Sequence, residues 1–171
     1  MAKNLFITGF PGVGKTSLVI EIANENAQKI GGFYTQEIRQ EGIRKGFKIC
    51  TTYGQQEIFA WKSLKSDYMV GSYGVNLSVL ETIGIFSLLE ALKNKQIILI
   101  DEIGKMELLS EKFKKVLIEC LNSPKKVLAT IKFTPDEFIN TIKNRADVKV
   151  LKLTRDNFEV IKKEVQSWIN N

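Results

Sequence analysis

The chain contains no histidine. That absence removes Ser-His-Asp and Cys-His nucleophilic arrangements, and every histidine-ligated metal site, in one step. Any catalysis must come from carboxylates, lysine, arginine, hydroxyls and a bound ion. Cysteine is scarce. Cys50 and Cys120 stand far apart in no CxxC pattern, so both are expected to be reduced, partly buried thiols. No apolar run approaches the ~20 residues needed to span a bilayer. At the start, one lysine precedes a very short apolar run that enters a glycine loop without a small-residue cleavage site, which is not a signal peptide. A cytoplasmic protein with no membrane partner is expected. Linker composition, internal repeats and low-complexity tracts are also missing.

What remains is an ordinary globular composition. The 171 residues are 44% hydrophobic and 26% charged, enough for a single domain over 1–171 with a sizeable core. The net charge of +6 suits either a nucleic-acid binder or a protein that holds a polyanionic substrate. The lysines are scattered in short groups, Lys112/Lys114/Lys115, Lys125/Lys126 and Lys162/Lys163. This favours solvated faces over a nucleic-acid patch, and a monomer or weak oligomer is expected.

Asn4 to Thr8 is a short β-prone run that stops at glycine, and an amphipathic helix should follow to about Lys29, ended by Gly31-Gly32. Phe33 to Arg39, Phe47 to Thr52 and Ile58 to Trp61 read as strands, making 31–61 a hairpin-rich segment. Ser78 and Glu81 form a capping-box pattern ahead of Leu80, Ile83, Phe86, Leu89 and Leu92. Ser110 precedes an apolar stripe from Phe113 to Leu121, Thr134 to Glu137 forms a second capping-box pattern, and Phe158, Ile161, Val165 and Trp168 mark a last helix. Between the helices lie Ile97 to Ile100, Lys126 to Ile131 and Val148 to Leu153. This alternation predicts an α/β fold, a mostly parallel sheet with helices on both faces and ligands at the carboxyl ends of its strands.

Gly9-Phe10-Pro11-Gly12-Val13-Gly14-Lys15-Thr16 fits GxxxxGK[ST] at every specified position. Glycines let backbone amides turn inward around phosphate oxygens, where side chains would obstruct them. The following helix N-terminus adds roughly half a positive charge. Lys15 supplies the charge for the β- and γ-phosphates, and Thr16 a hydroxyl for Mg²⁺. The motif follows a predicted strand and opens a helix, which is its confirming context.

Ile97-Ile98-Leu99-Ile100-Asp101-Glu102 is an apolar strand ending in two acids. A strand covered on both faces should not end in paired carboxylates unless a cation compensates them. Asp101 is therefore the expected magnesium-side acid. Glu102, pointing to the other face of the strand, is free to orient or deprotonate the attacking water. Asp101 to Gly104 also satisfies DxxG, but the guanine-reading NKxD is missing: the nearest string, Asn94-Lys95-Gln96-Ile97, ends in isoleucine. The long interval between loop and acid leaves room for an inserted strand, as in RecA-like ATPases. Thr130, ending the next strand, Lys126 to Ile131, is then a candidate γ-phosphate sensor or an ordinary strand threonine. Arg39, Arg44 and Arg145 are candidates for neutralising γ-phosphate charge, with Arg145 placed near the wrong sheet end.

The whole chain resembles a small nucleoside-triphosphatase family found in thermophilic bacteria and animals. Four strings carry the resemblance: Gly9 to Thr16, Val70-Gly71-Ser72-Tyr73-Gly74-Val75-Asn76, Asp101-Glu102-Ile103-Gly104-Lys105-Met106-Glu107-Leu108, and Leu153-Thr154. The resemblance implies a three-layer P-loop NTPase fold with a RecA-like sheet. It also implies slow Mg²⁺-dependent hydrolysis of ATP, GTP, CTP and UTP with little base preference. Two departures stand out: Phe10 replaces a small or acidic residue, and Phe158 replaces an arginine. The Val70–Asn76 string either lines the nucleotide pocket or forms a family-specific turn. Two other readings share the phosphate loop: a small-molecule or nucleotide kinase, and an ATPase stimulated by nucleic acid.

Overall fold

The computed structural model describes residues 2–171. Its centre is a nine-stranded sheet in the order β5-β6-β4-β3-β2-β7-β8-β1-β9. β1 (Asn4–Thr8), β2 (Ile30–Gln40), β7 (Ile97–Ile103), β8 (Lys126–Ile131) and β9 (Val148–Lys152) form a parallel half. β3 (Ile43–Thr51), β4 (Gln56–Lys62), β5 (Met69–Val70) and β6 (Tyr73–Val75) continue it through antiparallel pairings. The hairpin-rich segment expected over 31–61 thus runs on to Val75.

Helices cover both faces. On one side α1 (Lys15–Glu25) and α6 (Phe158–Asn170) bury Leu18, Ile22, Val165 and Trp168 against Leu5, Ile7 and Leu99. On the other, α3 (Ile85–Asn94), α4 (Glu111–Asn122) and α5 (Glu137–Lys143) bury Leu88, Phe113, Leu117 and Ile139 against Phe6, Phe33 and Ile98. Alternate residues of β1 and β7 serve opposite faces, so these strands read as continuous apolar runs. The Ser110 cap is present: its hydroxyl accepts from the Phe113 amide at 3.0 Å.

Three local expectations are corrected. Gly31-Gly32 does not end a helix. α1 stops at Glu25, and both glycines lie inside β2, where a side chain at Gly32 would run into the Leu99 carbonyl. Two capping boxes are not formed. α2 (Leu77–Val79) starts from Asn76, and the α5 cap is Asp136, whose carboxylate accepts from the Ile139 amide at 3.1 Å. A π-helical turn at Leu80–Gly84 joins α2 to α3. Its extra residue rotates the buried face, so that Phe86 is 54% exposed while Leu88 and Ala91 are fully buried.

Candidate active site

The strand order puts β8 between β1 and β7, which is the inserted strand the sequence left room for. The ends of these three strands bring Gly9, Thr130 and Asp101 to one edge of the sheet. The loop Gly9–Gly14 connects β1 to α1, with Gly9, Gly12 and Gly14 at φ 155°, 80° and 101°, conformations that favour glycine. A Cβ on Gly9 would sit 2.5 Å from the Leu153 carbonyl oxygen. The Leu153 amide donates to Thr8 O at 2.8 Å, so the Leu153-Thr154 string is the backbone that packs behind the loop. Phe158, where an arginine was expected, is half-buried, and its ring lies 3.5 Å from the Cβ position of Gly14. It supports the loop by packing rather than charge.

Lys15 spans the loop, with Nζ donating to Gly9 O at 3.0 Å and Phe10 O at 3.3 Å. Phe10 leaves the loop outward and meets Phe133 at a centroid distance of 4.7 Å.

Asp101 is completely buried. Its carboxylate accepts from Thr16 Oγ1 at 3.1 Å, from the Thr35 amide at 3.2 Å, and from the Thr130 hydroxyl. Thr130 therefore serves the acid directly. Burial pushes the Asp101 carboxyl above the usual carboxylate range, opposed by these hydrogen bonds and the charge of Lys15. Thr16 and Asp101 together offer hard oxygen donors. No group of three or more His, Cys, Asp or Glu side chains able to hold a metal exists among the described residues. Two protein oxygens suit a Mg²⁺ ion, which retains waters and shares substrate phosphates rather than needing a protein cage.

Glu102 follows Asp101 through a cis peptide. Its Oε1 lies 2.6 Å from the Cβ position of Gly104, and Glu107 Oε2 lies 3.2 Å from that same point. Any larger residue at 104 would displace one of the two acids. Burial, then the charge of Asp101, raises the Glu102 pKa, while Lys15 and Lys132 oppose the shift. A carboxylate so placed is a stronger base than one in water.

Thr35 and Glu107 belong to this centre although neither was singled out from the sequence. Thr35 gave no signal, because its contact depends on β2 pairing with β7. Glu107 stood within the Asp101–Leu108 string, but nothing in its spacing announced burial. It is only 5% exposed. Burial, then the neighbouring Glu102, pushes its pKa well above the usual carboxylate range. At low pH both folded and unfolded states carry the proton. As pH rises past the unfolded value, the unfolded chain ionises first, so Glu107 lowers stability progressively up to its folded pKa. Glu107→Gln should therefore stabilise the protein relative to wild type by an amount that grows as the pH rises above the ordinary carboxylate range. Each ~1 kcal/mol corresponds to about 2–4 °C in a chain of this size. Thermal unfolding as the pH is raised measures it, and a melting difference independent of pH would contradict it.

The three candidate arginines are engaged elsewhere. Arg39 and Arg44 both pair with Glu37, at 2.7 and 2.9 Å, and Arg44 Nε donates to the Tyr73 hydroxyl at 3.0 Å. Arg145 pairs with Asp147 at 2.9 Å beside Asn4, at the opposite sheet end from the loop. The Val70–Asn76 string forms the β5–β6 hairpin, with Gly74 pressed against the Leu64 backbone; it is a turn that presents Tyr73 to Arg44.

This geometry has close counterparts. The nucleoside-triphosphatase THEP1 of Thermotoga sp. (strain RQ2) is 48% identical over 163 residues, 95% of this chain and 93% of that protein. The crystal structure of THEP1 from Aquifex aeolicus superposes with a TM-score of 0.89 at 37% identity, over 98% of this chain and 99% of that one. The solution structure of a human cancer-related nucleoside triphosphatase gives 0.81 at 32% identity, over 98% and 97%. The NTPase_1 family model, described as "NTPase", matches residues 4–166. With the Gly9–Thr16 loop, the buried acid and the inserted strand all in place, the chain belongs to this NTPase family.

Proposed function

We propose that this protein, as one nucleotide-binding domain over 1–171, is a magnesium-dependent nucleoside-triphosphate phosphohydrolase of broad base specificity, converting NTP to NDP and phosphate. The carrying observation is the convergence of Lys15, the Thr16–Asp101 hydrogen bond and Glu102 at one edge of the sheet. Backbone amides of the Gly9 to Thr16 loop, those of Phe10, Gly12, Val13 and Gly14 among them, wrap the phosphates, while Pro11 has no N–H to donate and shapes the turn. Lys15 leaves its loop carbonyls to pair with β- and γ-phosphate oxygens. Thr16 and Asp101 would hold a Mg²⁺ ion, which when bound would supply neutralisation of the phosphate charge. Glu102 orients a water and accepts its proton. The water oxygen bonds to the γ-phosphorus as the bond to the β–γ bridging oxygen breaks, releasing NDP. A cytoplasmic setting accords with Cys50 and Cys120, both buried free thiols.

A kinase would need cationic groups free to close over an acceptor. Here Arg39 and Arg44 are committed to Glu37. Phosphate release is the test, measured for ATP, GTP, CTP and UTP without any acceptor and with and without polynucleotide. All four should be hydrolysed, with efficiencies within ~100-fold of one another, about 2.7 kcal/mol. No acceptor or polynucleotide should be required. A strict acceptor requirement would establish the kinase instead, and a larger spread among bases would reveal a base-reading site.

A further inference from the structure

A cavity of about 210 Å³ opens between the 3₁₀ turn Glu107–Leu109, α4 and the segment joining β8 to α5. Leu108, Leu109 and Phe138 form its apolar wall, and Lys105 and Lys132 reach it from two separate chain segments. Lys132 is also close enough to Glu102 for its charge to act on that carboxyl. Lys105 follows Gly104, the residue against which Glu102 rests. Lys105 and Lys132 thus connect the cavity lining to the neighbourhood of Glu102.

The charge of this lining is positive and uncommitted. Among the described residues no carboxylate pairs with Lys105 or Lys132. The third lysine of the lining, Lys114, is held by Glu111 at 2.7 Å and lies over the Phe138 ring. Asp136, the acid in the lining, accepts from the Ile139 amide at the start of α5. A phosphate dianion set free at the reaction centre lies near the Glu102 carboxyl, which repels it once ionised. The phosphate loop remains filled by the nucleoside diphosphate.

We propose that this cavity is a release site for inorganic phosphate, held by Lys105 and Lys132 after it separates from the diphosphate. The inference rests on the hydrolase reading above. Lysine ammonium groups suit a small, rotating tetrahedral dianion, each as a compact charge with three donors.

The test is equilibrium dialysis of radiolabelled inorganic phosphate against the full chain saturated with ADP and Mg²⁺, so that the phosphate loop is occupied. The ADP complex should take up phosphate. Lys105→Gln and Lys132→Gln should each weaken that uptake at least tenfold, with Lys105→Arg restoring most of it. ADP affinity should stay within twofold in Lys105→Gln, which shows that the fold and loop are intact. No phosphate uptake by the wild-type ADP complex, or equal uptake by the variants, would overturn the proposal. Wild-type NTP hydrolysis, measured in parallel, separates the two readings. Turnover without phosphate uptake rejects only the cavity, whereas absence of turnover rejects the hydrolase and the release site together.

Discussion

Glu102→Gln should lower turnover by on the order of 10²–10⁴, about 3–5 kcal/mol of barrier, while NTP binding stays near normal. Gln keeps the size and hydrogen-bonding reach of Glu, so it can lie against Gly104 as Glu102 does. It cannot take the water proton, and it lacks the charge that aligns the nucleophile. Asp101→Asn should behave differently. Asp101 accepts from Thr16, Thr35 and Thr130 at once, and an amide cannot satisfy all three donors without presenting its own NH₂ to one. That variant should weaken magnesium dependence and nucleotide binding together. Single-turnover kinetics with a separate binding titration distinguish the two. If Glu102→Gln turns over like wild type while Asp101→Asn is dead, Glu102 is not the base, and water is positioned from another loop.

Lys15→Ala should weaken NTP binding by about 100-fold or more, near 2.7 kcal/mol, the scale of losing a charge-assisted hydrogen-bond set. In the structure Lys15 Nζ satisfies the Gly9 and Phe10 carbonyls. The Phe10 bond is exposed and the Gly9 bond only partly buried, so the variant should fold with little change in melting temperature. Binding and stability therefore part company, and a fluorescent nucleotide titration beside a thermal melt records both. Wild-type affinity in Lys15→Ala would remove the phosphate-loop assignment. Lys15→Arg should not restore the wild type, because a planar guanidinium does not replace a point charge inside a closed loop of amides.

The sequence was most informative where a local rule and a chemical need coincide. The phosphate loop is contiguous, so Gly9 to Thr16 could be read residue by residue. An apolar strand ending in Asp101 and Glu102 could be read because burial and charge conflict there. The strand between them, Lys126 to Ile131, was legible as an apolar run, its place in the sheet was expected from RecA-like ATPases, and Thr130 was noticed because it stands near that strand's end. Information that resides in pairing was hidden. Thr35 reaches Asp101 only because β2 lies beside β7. Glu107 meets Glu102 only because the chain turns back over Gly104. The π turn at Leu80–Gly84 moved the buried face from Phe86 to Leu88, which a strict 3.6-residue period cannot anticipate. Gly31-Gly32 misled for a related reason: the pair looks like a helix stop, yet it permits close approach of two strands.

A sheet nine strands wide exposes two open edges to other polypeptides, and unpaired backbone edges are the usual templates for misassembly. Here one edge, β5, is only two residues long and sits on a tight hairpin. The other, β9, has the sequence Val-Lys-Val-Leu-Lys, with Lys149 and Lys152 both exposed and Lys149 tied to Glu164 at 2.6 Å. An incoming strand would find too few partners on one side and would have to strip water from ammonium groups on the other. The same antiparallel extension that displaced the hairpin boundary to Val75 thus finishes the sheet on a stub, giving the wide platform under the nucleotide loop protection against edge-to-edge aggregation.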